Sequence, residues 1–359
     1  MTIGIITGFS KKHSAGLEEF LLGLLAGLAS VRTEGIDYVL YTSKESDLSG
    51  ALKDRGIEGF RIVPIGFGKW WKYIGLLFAP RSDVYLWNGP TVSPLFFPRR
   101  SAVLVYDFAY RHYGARSLQN RFMDILSKFA FRRAKKVIAI SQATADDVVH
   151  FFGISPKKIV VVYPGVKDLS NIIEEKVSTP PSGYFLFVGT LKERKNVLNL
   201  IRGFACIKGK VLQDLVIAGH TDFTSPYGKR IVEEIRKADI GTRVHFLGPV
   251  NENKLKYLYR HAIVFAFPSA FEGFGMPVIE AMGEGTAVLT SNVSSLPEAA
   301  GTAALLVDPF NSDAISEGLL RLARDPTLRM ELIEKGKVRA TAFSWLGSAR
   351  AFLAILSRL

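Results

Sequence analysis

Short runs of apolar, β-branched and aromatic residues alternate with longer stretches of helical periodicity along almost the whole chain. Ile3–Thr7, Ile36–Tyr41, Val84–Trp87, Ala102–Tyr106, Lys136–Ile140 and Ile159–Tyr163 predict buried strands, and Gly16–Ser30 and Leu118–Arg133 predict helices among them. From Lys167 to Tyr184 the text turns polar, with Ser178-Thr179-Pro180-Pro181-Ser182-Gly183 its clearest punctuation. The alternation then restarts, with strands predicted at Phe185–Val188, Leu215–Ala218, Val244–Leu247, Ile263–Phe267, Ala287–Thr290 and Ala304–Val307. Strand–helix alternation of this kind folds as a doubly wound parallel sheet. The pattern therefore predicts two α/β domains, 1–166 and 184–345, joined by a flexible linker at 167–183, with a final helix at 346–359. Ligands of such sheets bind beyond the carboxyl ends of the strands, and for two domains the expected place is the cleft between them.

A length of 359 residues suits two domains, and 48% hydrophobic residues supply each with a core, which excludes wholesale disorder. The single cysteine, Cys206, excludes a disulfide scaffold and fits a reducing compartment. The longest apolar runs, such as Phe20–Ala29 and Tyr73–Ala79, fall short of the ~18–20 residues that cross a bilayer. The chain enters on a β-like run with no charged segment before it, so the expectation is a cytoplasmic protein without a secretory signal. Charge changes the picture more. Lys and Arg number 46 against 33 Asp and Glu, and the resulting +13 asks for an anionic partner: nucleic acid, anionic lipid or a phosphorylated small molecule.

No Gly-x-Gly-x-x-Gly follows the first strand and no P-loop is present, which removes the support for a dinucleotide dehydrogenase or a P-loop enzyme. An Asp-x-Asp is also missing, and the six histidines lack metal-ligand spacing, so no metal is expected. The densest patch is Pro268-Ser-Ala-Phe-Glu272-Gly-Phe274-Gly275-Met276-Pro277-Val-Ile-Glu280, between a strand and a helix. Pro277 suits the start of a helix, the glycines allow close approach of a ligand, and the helix N-terminus offers N–H groups to an anion. Glu280, one turn in, could accept both hydroxyls of a ribose. A glycine turn with dipole-favoured acids explains the same run equally well. A second patch, Gly189-Thr190-Leu-Lys-Glu-Arg194-Lys195-Asn196, sets two cations at a strand end, where they could hold a diphosphate or simply begin a solvated helix. A third is Gly16, whose loop Ser10–Ala15 would aim a helix N-terminus at the same ligand or serve only as a turn.

Taken in order, Arg243-Val-His-Phe-Leu-Gly-Pro-Val250, Glu272 through Glu280-Ala-Met, Ser291-Asn-Val-Ser-Ser-Leu-Pro-Glu298, Leu306-Val-Asp-Pro309 and Phe343-Ser-Trp345 resemble the family 4 retaining glycosyltransferases. The likeness is strong from about Tyr184 to Trp345 and weaker over 1–165. It implies a GT-B fold of two Rossmann-like domains facing across a cleft, the first binding the acceptor and the second the nucleotide sugar. The last helix would then return toward the first domain. Position by position, Glu280 resembles the glutamate that binds the donor's ribose. Glu272, with the backbone of Phe274, Gly275 and Met276, resembles the group that holds the sugar. Lys195 resembles the phosphate-binding lysine with Arg194 assisting, and Gly16 the glycine that approaches the diphosphate. Two positions depart from the family. Thr190, after Gly189, stands where the family often has Arg. Tyr106-Asp107 stands where it has His-Asp, and Tyr106 can donate a hydrogen bond but cannot become an imidazolium.

The implied reaction is a metal-independent glycosyl transfer to a hydroxyl acceptor, with retention, and with the departing phosphate stabilised by Arg194 and Lys195. No nucleophile is named. Asp107 is the candidate polar group near the sugar, and capping of the next turn is an equal reading. The run around Arg194-Lys195 most resembles the mannosyl and rhamnosyl branch that builds surface polysaccharides, which makes GDP-mannose the first expected donor and a UDP- or dTDP-sugar the second. Basic charge concentrates at 111–136, where Arg111, Arg116, Arg121, Lys128, Arg132, Arg133, Lys135 and Lys136 meet only Asp124. With the interleaved Gly68-Lys69-Trp70-Trp71-Lys72-Tyr73-Ile74, this predicts contact with an anionic membrane on its inner face and a lipid-linked saccharide acceptor, rather than nucleic acid. A nucleotide-sugar epimerase on the same fold and an inactive basic binding or scaffold protein are the alternatives.

Overall fold

The structure, a computed structural model, describes residues 1–8, 15–31, 33–114, 117–167, 169, 172–180 and 182–359. Residues 10–14 of the loop before the first helix, Arg116, and Asp168, Ser170, Asn171 and Pro181 of the polar segment lie outside the described residues. Two compact units form, one from Met1–Gly165 with Phe343–Leu359 and one from Val166–Ala342.

The first unit is built on seven strands: β1 (Thr2–Ile6), β2 (Asp37–Ser43), β3 (Phe60–Ile65), β4 (Val84–Trp87), β5 (Ser101–Val105), β6 (Lys136–Ala139) and β7 (Ile159–Val161). They lie in the order β3-β2-β1-β4-β5-β6-β7, every pair parallel. The chain runs outward from β1 through β2 to β3, then crosses to β4 on the other side, which is the doubly wound pattern. β4 and β5 are buried at every position, and β1 at all but its first, as strands covered on both faces must be. β3 escapes the sequence pattern because Arg61 and Pro64 interrupt its apolar run. It is an edge strand, where a missing N–H and an exposed charge are tolerated.

Local chemistry sets the helix ends. Ser141 caps the helix Gln142–Phe152 by accepting from the Thr144 N–H at 3.0 Å, and Gly153 closes it in the left-handed conformation at φ 65°. The helix Ala15–Ser30 carries the C-terminal helix Trp345–Leu356. A Cβ at Gly23 would sit 2.1 Å from the Trp345 ring, one at Gly27 2.3 Å from the Trp345 carbonyl oxygen, and one at Gly165 2.2 Å from its nitrogen. Three bare backbone positions thus seat Trp345, and the Phe20 ring packs edge-on against its indole with the ring centres 5.1 Å apart. Phe352, Leu353 and Leu356 bury the helix behind it.

The second unit holds β8 (Tyr184–Val188), β9 (Asp214–Ala218), β10 (Val244–Gly248), β11 (Val264–Phe267), β12 (Val288–Ser291) and β13 (Leu305–Val307). Their order is β10-β9-β8-β11-β12-β13, again all parallel, with the switch between β8 and β11. The polar segment expected to be a flexible joint is anchored on this unit. Lys256 Nζ donates to the Ile172 carbonyl at 2.7 Å, Asn253 Nδ2 to that of Ile173 at 2.8 Å, and Asn251 Nδ2 to Glu175 Oε2 at 3.2 Å. The helix Glu252–His261 and its cap supply all three donors.

Candidate functional site

In the second unit the candidate residues gather where β8 and β11 end. After β8 the chain passes Gly189 and Thr190 into a tight turn at Glu193–Lys195, then into Asn196, whose positive φ of 59° starts the helix Val197–Ile207. Asn196 tolerates that conformation, and its buried Nδ2 donates to the Pro268 carbonyl at 3.0 Å and the Pro309 carbonyl at 2.6 Å. The Ala270 N–H donates to the Arg194 carbonyl at 2.8 Å. The basic turn and the loop after β11 are therefore one bonded body.

Within it Glu272 receives both cations. Lys195 Nζ stands 2.7 Å from Oε1, and Arg194 Nη1 donates to Oε2 at 3.1 Å and to the Phe271 carbonyl at 3.2 Å. Lys195 also lies 4.8 Å from the centre of the Phe267 ring. The Glu272 side chain is only 8% exposed, so desolvation pushes its carboxyl up, but the charges of Lys195 and then Arg194 outweigh that and hold it below the ordinary glutamate value. Two cations against one carboxylate leave the cluster at +1, which suits a phosphate.

The Glu272 backbone is clamped from the loop after β12. Its N–H donates to Ser294 Oγ at 3.2 Å, and its carbonyl accepts from Ser294 Oγ at 2.8 Å and Ser295 Oγ at 2.9 Å. Ser291 Oγ donates to the Ser269 carbonyl at 2.6 Å and Thr290 Oγ1 to that of Phe267 at 2.8 Å. Gly275, at φ 101°, opens the helix Met276–Gly283, and a Cβ there would meet Leu296 at 2.6 Å. Pro277 occupies the first turn, Phe274 is buried, and Glu280 is partly buried on that helix. Tyr259, buried on the helix Glu252–His261, donates to Glu280 Oε2 at 3.0 Å. Burial and the adjacent Glu280 charge both push the Tyr259 hydroxyl far up, so it stays protonated and remains a donor.

In the first unit a chain of neutral groups joins three strand ends. Tyr106, after β5, donates to Asn88 Oδ1, and Asn88 Nδ2, after β4, donates to the Thr7 carbonyl after β1 at 2.6 Å. Burial pushes the Tyr106 hydroxyl up. Asp107 Oδ1 accepts from the N–H of Ala109, the first residue of the short helix Ala109–His112, at 2.9 Å. Among the described residues, no atom outside its own helix backbone and chain neighbours lies within 4 Å of a Cβ built on Gly16. Residue spacing pointed to Glu272, Glu280, Arg194 and Lys195. It missed Tyr259, Thr7, Asn88 and the Ser294-Ser295 clamp. Among the described residues no three His, Cys, Asp or Glu converge as a metal site would require.

Comparison with known proteins follows this division. The family described as Glycosyltransferase Family 4 matches residues 15–168, and the one described as Glycosyl transferases group 1 matches residues 170–339. The chain is 30% identical over 238 residues to the O-antigen chain mannosyltransferase B of Escherichia coli, covering 63% of this chain and 61% of that one. It is also 30% identical over 232 residues to the O-antigen chain mannosyltransferase RfbU of Salmonella typhimurium, covering 64% and 62%. The match thus spans about three fifths of the length of these relatives. Among solved structures, Anabaena HepE in complex with UDP and glucose superposes over all of both chains with a TM-score of 0.75 at 19% identity, a likeness of fold alone. The fold is GT-B, and the chain belongs to the family 4, group 1 glycosyltransferases.

Proposed function

We propose that the chain is a retaining, metal-independent glycosyltransferase that moves mannose from GDP-mannose to a hydroxyl of a saccharide acceptor carried on a lipid pyrophosphate. The Lys195–Glu272–Arg194 cluster carries this reading. As the glycosidic bond breaks, negative charge grows on the departing phosphate, and two preorganised cations beside a helix N-terminus stabilise it without a metal. Glu272 is held as a carboxylate by those cations and so can accept from sugar hydroxyls. Glu280 accepts from the ribose hydroxyls with Tyr259 fixing its orientation. Attack comes from the face the phosphate leaves, and the phosphate takes the acceptor's proton. Asp107 and Tyr106 border the acceptor side. The names of the two O-antigen mannosyltransferases favour mannose, while the UDP bound to HepE keeps a UDP-sugar as the second choice.

The same reading places the protein in the cytoplasm against the inner face of the membrane. No helix among the described residues is long and apolar enough to cross one. On the helix Leu118–Arg133, Leu126, Ser127, Ala130 and Phe131 face inward, which leaves Leu118, Phe122 and Ile125 exposed beside Arg121, Lys128 and Arg132. An apolar stripe flanked by cations suits anionic headgroups. The second expected segment divides: Trp70 is exposed, whereas Trp71 turns inward.

A thermal-shift panel of GDP, UDP, ADP and dTDP tests the donor, since a ligand at ~100-fold its Kd adds about 2.7 kcal/mol. GDP-mannose with a lipid-linked saccharide should then give an α-linked product whose formation resists chelation. Sugar isomerised without an acceptor would identify an epimerase. Salt-sensitive nucleic-acid binding without any nucleotide response would identify a scaffold.

A further inference from the structure

The segment between β3 and β4 turns one tryptophan out and the next one in, and so carries Lys72 to the end of the first unit's sheet. A Cβ built on Gly8 would lie 2.6 Å from Lys72 Nζ and 3.8 Å from the Asn88 carbonyl oxygen. Gly8 follows β1 by two residues and Asn88 directly follows β4, so the ammonium stands beyond the carboxyl ends of these two neighbours. The winding reverses between β1 and β4, which is where open α/β sheets receive their ligands. Gly8 itself has a φ of 60°, and its missing side chain leaves room for the cation.

Among the described residues nothing answers this charge. Lys72 Nζ lies 5.5 Å from the centre of the Trp71 ring, and no described residue forms an ion pair or hydrogen bond with it. Its polar neighbours at the strand ends, Thr7, Asn88 and Tyr106, are neutral and already bonded to one another. Burial pushes the Lys72 ammonium down to about 8, so it is still charged near neutral pH. An ammonium partly withdrawn from water, with no counter-charge among the described residues, is costly unless a ligand supplies one. This arrangement differs from the second unit, where Glu272 occupies both cations.

We infer that Lys72 holds a phosphate group of the ligand bound at the first unit's strand ends. The phosphate belongs either to the acceptor's pyrophosphate or to the donor's diphosphate. This assignment deepens the proposed function by giving the first unit a phosphate-recognising side chain, and it rests on that reading only for the ligand's identity.

The test is equilibrium binding by the full chain, with farnesyl diphosphate as a soluble pyrophosphate lipid, farnesol as its uncharged control and GDP as the donor probe. Lys72→Met should weaken farnesyl diphosphate at least tenfold, leave farnesol unchanged and be largely rescued by Lys72→Arg. A loss confined to GDP keeps the phosphate site and assigns it to the donor. Lys72→Gln gives the same reading should the Met variant not fold, with near-UV circular dichroism checking both. Unchanged affinity for both phosphates in a folded variant, or no binding of either by the parent protein, overturns the inference. No sugar transfer is required, so failure of the transferase reading would appear separately in the GDP-mannose assay.

Discussion

Both sheets end in polar side chains where the winding reverses, yet the two sets are built in opposite ways. In the second unit, Lys195 and Arg194 form a partly buried ionic cluster around the buried Glu272, with its backbone tied to the loops after β8, β11 and β12. In the first unit, Thr7, Asn88 and Tyr106 make a neutral chain across three strand ends, with Lys72, unpaired among the described residues, beside it. A fixed ionic cluster suits a group whose charge grows during reaction, because its dipoles need not reorganise. A neutral set suits hydroxyl recognition, where directional donors and acceptors matter more than field. The two sets thus differ in how charge is placed: paired and fixed in the second unit, a single cation beside neutral groups in the first.

The largest effect expected from breaking the contrast comes at Lys195. On the proposed mechanism Lys195→Ala removes a cation from the leaving phosphate, and turnover should fall on the order of 100- to 1000-fold. Glu272 keeps Arg194 as a partner, so the protein should still fold and a melting curve should remain cooperative. Near-parental kcat in that variant would remove the second unit's cluster from the mechanism.

Acid sharpens the same contrast. The folded Glu272 carboxyl lies below its ordinary value, despite burial, because Lys195 and Arg194 stand beside it. Its stabilisation is therefore fully present above the unfolded glutamate value of about 4.3 and is lost as pH falls through the folded value. Glu272→Gln should flatten the stability profile below about pH 4.3, measured by urea unfolding at a series of pH values. The first unit's chain adds no such slope, since burial raises the Tyr106 hydroxyl away from this range.

This difference also explains what the residue order revealed. The ionic cluster comes from two short runs, 189–196 and 268–280, whose glycines, proline and charges crowd into a few positions, so it stood out before any fold was known. Twelve strands were visible as apolar runs, and β3 was not, because edge strands accept the Arg61 and Pro64 that break the pattern. The neutral chain was hidden for another reason. Thr7, Asn88 and Tyr106 are ordinary residues far apart in the sequence, and only the parallel order β1-β4-β5 brings them together. Tyr259 was hidden likewise, since its aromatic ring reads as core and only the packing of its helix shows the hydroxyl reaching Glu280.

Tyr106→Phe tests the neutral chain. It leaves Asn88 Oδ1 without its donor, and the loss should be about 1–3 kcal/mol of stability, read from urea unfolding. Affinity for nucleotide should change little, because the proposed function gives the ribose and the main phosphate contacts to Glu280, Lys195 and Arg194 of the other unit. A fall in GDP affinity comparable to that of a Lys195 variant would erase the division drawn above.

The smallest effect should come at Tyr259, where the two kinds of construction meet: a neutral hydroxyl supports a charged carboxylate. Tyr259→Phe removes one donor from Glu280 Oε2 and leaves the buried ring in place. Glu280 is only partly buried, so water can replace the lost hydroxyl, and a net hydrogen bond of about 0.5–1.5 kcal/mol is the scale of the loss. Nucleotide affinity should therefore weaken roughly 2- to 10-fold, measured by calorimetry, with kcat at saturating donor little changed. Glu280→Ala, which removes the acceptor itself, should weaken it considerably more. If the two substitutions weaken binding equally, the hydroxyl rather than the carboxylate touches the ribose, and Glu280 becomes the residue that positions Tyr259.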